Sequence, residues 1–598
     1  MNPFRHLIPH FKKQGGLFAL GVAALLLTDW VQQYLPRLIK FALDELQTAK
    51  PGRDAEGAAL AGVLGWVFLR LGIVALQGGL RWGWRMGFFG MSRQVEYGMR
   101  RQLFETLLSL DSGFFRRLRV GDLLTRAVSD LGAVRESLGF GWLALVDGFA
   151  MITFTIVFML RANAGLTVSI LGPMVFVPVL VVTLGRKVRE NERKILELLD
   201  SLSQTATESF QGVRVIHAYA RQGEETRRFD AACGAFRDRG MSLAKVSAVY
   251  WPLLWLLSGT CEMLLYYYGG RSVSARHMTA GDFAMFQIYL AEILWPVMAL
   301  GISSNSYLKG KVSIERLNEV YDAVPLIQDG PGEPVRRPDD RPLNARDAVV
   351  EFRGVIRAYE NGPDVIRGVD FSARPGEWVG LASRLGGGKT TLLRLPLRLD
   401  DVKAGEVRLW GRDVRAWPLK ALRRRIAMVA QEPFLFSETV LENIAFAHDG
   451  DPMERVEEAM EAARVADLRE TIGGLPQGLS TLLGEKGVNL SGGQKQRVAL
   501  ARALFAKPDL LLLDDAFSAV DTATEERIVT ALRAALPQAA VLMVSHRVST
   551  LMLCDRVVVL EDGRVTASGA PKELLQQEGY FFEMARREQL ARRVGLEA

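Results

Sequence analysis

Six long apolar runs, at about residues 17–39, 58–86, 138–160, 164–184, 247–268 and 280–303, constrain this chain more than any other feature. A helix needs about 20 such residues to cross a bilayer core, so each run is predicted to span a membrane. An even number of crossings puts both ends of the set on one side. The stretches between the second and third spans ("SRQVEYGMRRQLFETLLSLDSGFFRRLRVGDLLTRAVSDLGAVRES") and between the fourth and fifth ("GRKVRENERKILELLDSLSQTATESFQGVRVIHAYARQGEETRRF") are long, arginine-rich and helical in pattern. The other connections are shorter and less cationic, so the long stretches and both termini are expected in the cytoplasm, with the protein in the cytoplasmic (inner) membrane. Short turns are predicted at "SGFFRRLRVGD" and "ATESFQGVRV".

The composition agrees with a membrane half joined to a soluble half: 49% hydrophobic and 24% charged residues, with a mean hydropathy of +0.10. A net charge of +7 is compatible with nucleic acid, but cationic cytoplasmic loops explain it within a membrane protein, so no nucleic-acid partner is expected. Cys233, Cys261 and Cys554 lie far apart, without the spacing of a disulfide framework or a zinc site. The start, "MNPFRHLIPHFKKQGG", lacks a cleavage pattern and reads as an interfacial segment before the first span.

After about residue 322 the texture turns proline-rich and charged ("VPLIQDGPGEPVRRPDDRPLNARD"), and from 349 short apolar strands alternate with helical segments. The chain is therefore predicted to be multidomain. An all-α six-helix transmembrane domain (1–322) is followed by a linker (323–347), an α/β domain (348–576) whose motifs, described next, are those of a P-loop ATPase, and an exposed C-terminal helix (577–598).

In "GLASRLGGGKTT" a strand-like run leads into Ser383, Gly386, Gly387, Gly388, Lys389, Thr390 and Thr391. This is a phosphate loop with serine where its first glycine is expected. Backbone N–H groups would cradle phosphates, Lys389 would reach the β and γ phosphates, and the Thr390 hydroxyl would bind Mg²⁺. "PDLLLLDDAFSAVD" is a buried strand ending in Asp514, a Mg²⁺ ligand, and Asp515, which would polarise the attacking water. Ser491, Gly492 and Gly493 open a helix and form a second anion site. Gln431 in "VAQEPFLF" and His546 in "VLMVSHR" each follow a strand-like run.

In this order and spacing the motifs resemble the ATP-binding cassette exporters, in the half-transporter arrangement of one membrane domain and one nucleotide domain. "FFRRLRVGDLLTRAVSDLGAVRESL" and "ESFQGVRVIHAYARQGEETRRF" look like that family's intracellular loops. The resemblance implies ATP with Mg²⁺, adenine stacked on Tyr359, and Gln431 sensing the γ-phosphate and metal. It also implies a signature motif at 490–494, including Gln494, that engages ATP held by the opposite subunit, with Asp521 ending the D-loop and His546 as switch histidine. The activity implied is ATP-driven export of hydrophobic or amphipathic compounds, drugs or lipids, across the lipid bilayer.

Two residues depart from the family pattern. Where hydrolysing sites carry glutamate, Asp515 is one methylene shorter and its carboxylate is withdrawn by about 1.5 Å. General-base contributions of roughly 10²–10⁴-fold depend on that reach, so hydrolysis is expected to be slow unless a water or a backbone shift compensates. Ser383 costs roughly 1–2 kcal/mol if its backbone must be left-handed, about tenfold in affinity, and nothing if it tolerates the local φ. Both changes fall on the phosphate-loop face while the signature is intact. That pattern suggests one half of a heterodimer, whose own site is degenerate and whose signature completes a partner's hydrolytic site. A homodimer, a lipid flippase of the same architecture and a mainly regulatory subunit are the alternatives.

Asp29, Asp147, Glu262 and Glu292 lie within the predicted spans, with Trp251, Trp255, Tyr266, Phe286, Tyr289 and Trp295 nearby. Intramembrane carboxylates often mark a substrate path, although Asp29 and Glu262 also suit an interface and the aromatics an ordinary belt.

Overall fold

The computed structural model describes residues 2–48, 53–118, 120–331, 348–359, 362–484, 487 and 489–593. The predicted linker therefore falls largely outside the described residues. The chain divides into two units, residues 1–108 with 120–323, and residues 109–119 with 324–598.

The first unit is helical. Among the described residues, five helical stretches are long and apolar enough to cross a membrane: Gly15–Gln47, Ala61–Ser109, Val120–Ala162, Gln222–Ser274 and Ala280–Tyr321. The fourth predicted span differs from expectation. It consists of Ala164–Leu171, a 3₁₀ turn at Gly172–Val175 and a helix from Phe176 to Gln211, because Pro173 lacks the N–H that would continue the ladder. The first predicted span is likewise two helices, Gly15–Gln32 and Leu35–Thr48. Pro36 withholds a donor at the break, and beside it the Gln33 carbonyl accepts from the Tyr289 hydroxyl at 2.6 Å. The turns predicted in the two long arginine-rich stretches are short helices, Ser112–Arg117 and Val213–Ala218.

Small residues set the helix crossings. A Cβ on Gly21 would stand 2.7 Å from the Gly87 Cα, so two backbones touch there. One on Gly310 would stand 2.6 Å from the Ser137 Cβ. Nearby, Ser303 donates to the Gly141 carbonyl and Ser313 to Asp130, both at 2.8 Å. These hydroxyl bonds satisfy polar groups that a helix interface cannot leave bare.

Among the described residues the second unit holds ten strands: β1 (Val350–Ala358), β2 (Asp364–Ala373), β3 (Trp378–Ser383), β4 (Ala404–Leu409), β5 (Arg412–Asp413), β6 (Ile426–Val429), β7 (Leu510–Asp514), β8 (Ala540–Val544), β9 (Arg556–Glu561) and β10 (Arg564–Gly569). An antiparallel sheet runs in the order β2-β1-β4-β5, and a larger sheet in the order β10-β9-β3-β8-β7-β6. β3, β6, β7, β8 and β9 are parallel. Strands β3, β7 and β8 are buried along their whole length, which is why they read as unbroken apolar runs.

Two segments outside the sheets belong to this unit. Residues 109–119 pack here, with the Ser112 hydroxyl donating to the Leu399 carbonyl at 2.9 Å and Arg116 paired with buried Asp400 at 3.2 Å. Of the predicted linker, the start is fixed: the Leu326 N–H donates to Asp111 at 2.7 Å, and the Gln328 carbonyl accepts from Arg398 at 2.8 Å.

Candidate nucleotide site

The larger sheet lines up the sequence motifs by topology. Reading β3-β8-β7-β6, the carboxyl ends carry in turn the 383–391 loop, His546, the Asp514–Asp515 pair and Gln431. Register keeps these ends level, since Leu381 and Asp514 both pair with Val544 and Val429 pairs with Leu513. Neighbouring strands lie about 4.8 Å apart, so the four groups occupy an edge roughly 14 Å wide. In open α/β sheets ligands bind beyond such an edge.

The phosphate loop turns on left-handed glycines, Gly386 at φ +78° and Gly388 at φ +85°. A Cβ on Gly387 would meet the Ser383 Oγ at 2.4 Å. Ser383 itself ends β3 in extended backbone and is absent from the left-handed residues. The strain cost that a left-handed serine would carry therefore does not arise. Its influence runs through Lys389, whose Nζ donates to the Ser383 carbonyl at 2.8 Å, to the Ser383 Oγ at 3.0 Å and to the Arg384 carbonyl at 3.4 Å. Burial lowers the Lys389 pKa, and the nearby carboxylates of Asp514 and Asp515 oppose that shift. Burial likewise raises the Asp514 carboxyl, against the pull of the Thr390 hydroxyl, Arg394 and Lys389. Asp515 adopts a left-handed backbone, φ +52°, which Asp tolerates better than most residues.

The signature helix, Gly492–Phe505, opens with a reciprocal cap: Ser491 accepts from the Gln494 N–H at 3.3 Å, and Gln494 Oε1 accepts from the Ser491 N–H at 2.8 Å. Ser491 and Gly492 are exposed. A Cβ on Gly493 would approach the Ala519 carbonyl to 2.5 Å, so the helix start lies directly on "SAVD". Asp521 caps the next helix, accepting from the Thr524 N–H at 2.9 Å. Gln431 and His546 are exposed.

Two family descriptions match the chain: "ABC transporter transmembrane region" over residues 18–297 and "ABC transporter" over residues 366–518. The chain belongs to the ABC transporter family. It is a membrane protein whose second unit is the ATP-binding domain of an ATPase-coupled transporter. The chain is 30% identical to the probable multidrug resistance ABC transporter ATP-binding/permease protein YheI of Bacillus subtilis, over 97% of this chain and 96% of that one. It is equally 30% identical to the multidrug resistance-like ATP-binding protein MdlA of Escherichia coli, over 99% and 97%. Identity to an ATP-dependent lipid A-core flippase of Syntrophus aciditrophicus is 29%, over 98% and 94%. Among solved structures, a bacterial Atm1-family ABC exporter with ATP bound matches with a TM-score of 0.76 at 25% identity, over 95% of this chain and 98% of that one.

The residues read from the sequence have partners that carry no motif of their own and were not legible there. The Tyr359 hydroxyl shares a hydrogen bond with the Thr391 Oγ1 at 2.7 Å. The guanidinium carbons of Arg116 and Arg357 lie 5.1 and 5.3 Å from its ring centroid, both held by Asp400. Arg547 ties the histidine segment to the D-loop, donating to the Val520 carbonyl at 2.9 Å and the Ser518 carbonyl at 3.1 Å. Gln496 bridges the signature helix to Ser518 and Ala519. The C-terminal helix, Tyr580–Arg593, is docked and not merely exposed. Phe581 is buried, the Tyr580 hydroxyl donates to the Ser383 carbonyl at 3.0 Å, and Glu588 accepts from the Val548 N–H at 2.8 Å. One helix thus braces both the phosphate loop and the histidine loop.

Proposed function

We propose that this chain is a half-transporter that exports hydrophobic or amphipathic compounds across the cytoplasmic membrane as one subunit of a heterodimer. Its nucleotide-binding domain and both termini face the cytoplasm. ATP is the substrate of the nucleotide site: the 383–391 loop with Lys389 would hold its phosphates and Tyr359 its adenine. The residues suit a metal-bound triphosphate, since a desolvated ammonium, a hydroxyl and a desolvated carboxyl converge at Lys389, Thr390 and Asp514. Thr390, Gln431 and Asp514 would hold Mg²⁺, which supplies charge neutralisation for the phosphates. Asp515 and His546 would act on the attacking water and the γ-phosphate.

One observation carries the unequal-pair reading. The ammonium of Lys389 is tied to three oxygens of its own loop, one supplied by the Ser383 hydroxyl, beside an aspartate where longer reach is needed. A site built so favours holding ATP over consuming it. The signature face, with its glycines on the D-loop, would meet ATP held by a partner. Pairing is supported by the second cytoplasmic tip, where Phe210, Val215 and Tyr219 are 77%, 61% and 76% exposed. Apolar groups so displayed mark a protein contact.

The test is Asp515→Asn in the complex purified with its partner subunit. Turnover is expected to fall less than about twofold, whereas loss of a general base in a homodimer costs roughly 10²–10⁴-fold. A loss of that size contradicts the reading.

A further inference from the structure

Three of the carboxylates that the sequence places within apolar spans meet in one cavity of the first unit, while Glu262 lies elsewhere. The cavity measures about 430 Å³, and its lining includes Asp29, Asp147, Glu292, Arg81, Trp84 and Trp295. Asp29 is only 5% exposed, and its Oδ2 has no hydrogen-bond partner. Asp147 and Arg81 are its charged neighbours. Glu292 Oε1 accepts from the Gln32 amide at 2.9 Å, and Gln32 in turn accepts from Gln77 at 2.8 Å. That chain of amides orients Glu292 and leaves its Oε2 buried and unpartnered.

The balance of groups decides what such a cavity takes. Asp29 and Asp147 are hydrogen-bonded to each other and so share a proton, which leaves two negative charges facing one guanidinium, and two carboxyl oxygens lack donors. A buried acceptor left unpaired is costly, more so when charged, and a ligand that brings positive charge removes that cost. An anion entering the same space would add repulsion in a medium of low dielectric constant. Trp295 is 56% exposed and offers an aromatic face suited to a cation with an apolar body, whereas the Trp84 ring already carries the Arg85 guanidinium at 5.5 Å. Phe286 and Tyr289, by contrast, are fully buried among Met159, Ile170 and Cys261 and belong to the core.

We infer that this cavity is a binding site for an amphipathic organic cation, a protonated or quaternary amine or phosphonium with an aromatic or alkyl body. The inference rests on the export reading and names its substrate class. The probe is tetraphenylphosphonium, with triphenylphosphine oxide as neutral analogue and tetraphenylborate as anion, bound to the transporter with its partner in lipid nanodiscs. Tetraphenylphosphonium should bind at least tenfold more tightly than either. The double variant Asp29→Asn, Glu292→Gln should lose about tenfold for the cation and less than twofold for the neutral compound. Equal binding of the three probes by the wild type overturns the proposal without any variant, as does unchanged cation affinity in a folded double variant. Uptake of the neutral compound into inverted vesicles separates the two readings. ATP-dependent uptake without cation preference leaves export standing and removes this site, and no uptake of any probe removes both.

Discussion

The two nucleotide-facing edges of the ATP-binding domain are built to different standards of readiness. On the signature edge the polar groups at the helix start are capped reciprocally by Ser491 and Gln494, and Gly492 and Ser491 stand open. On the phosphate-loop edge the key cation is already occupied: Lys389 is buried and bound to Ser383 and Arg384, and a tyrosine from the C-terminal helix holds the same Ser383 carbonyl. One edge is ready for a ligand presented from outside the domain, the other is satisfied from within. The proposal of unequal sites in a pair places the weaker site on the second of these edges, and it can be broken at either.

The comparison breaks most readily at Gly493. A Cβ there would stand 2.5 Å from a D-loop carbonyl, so Gly493→Ala must displace the signature or the D-loop. ATPase turnover of the complex should fall by about 100-fold, the scale of losing one preorganised donor. Unimpaired turnover would mean the signature edge is not the productive one. The phosphate-loop edge is sharpened by Ser383→Gly, which removes one acceptor from Lys389 and the 2.4 Å neighbour of Gly387. One hydrogen bond is worth about 1 kcal/mol, so ATP should bind this chain's own site about fivefold more tightly, read by equilibrium binding of a fluorescent analogue. Weaker binding would show that the serine helps to hold the nucleotide.

The smallest effect is thermal. Burial holds the Asp514 carboxyl above its ordinary 3.8, so the unfolded chain releases that proton first as pH rises. The native state therefore loses stability as pH rises from about 3.8, and the cost is complete once the folded carboxyl has ionised. Asp514→Asn removes it: without nucleotide the variant should melt roughly 2 °C higher at pH 7, and the gain should vanish below pH 3.8. With Mg²⁺ and ATP the order should reverse, because the variant loses the proposed metal ligand.

Much of this was legible in the sequence, for reasons that individual residues make plain. Leu510–Asp514 and Ala540–Val544 read as buried strands because parallel strands covered on both faces need no polar alternation. The loop glycines read as a phosphate cradle because left-handed turns select them. What failed to show depends on contacts distant in sequence. Asp400 joins Arg116 to Arg357 across more than 200 positions, and Tyr580 reaches Ser383 from the far end of the chain. The breaks at Gln33 and Gly172 were signalled by Pro36 and Pro173, yet hydropathy alone runs through both. Ser383 was recognised as unusual, but its extended backbone and its grip on Lys389 are properties of the fold.

The central claim, that this chain's own site holds ATP while its partner's site turns over, is tested most directly by nucleotide retention. The complex is run through many turnovers with radiolabelled 8-azido-ATP, washed and photo-crosslinked, and the nucleotide attached to this chain is separated from that on the partner. The account predicts triphosphate on this chain. Diphosphate accumulating here in step with turnover would contradict it.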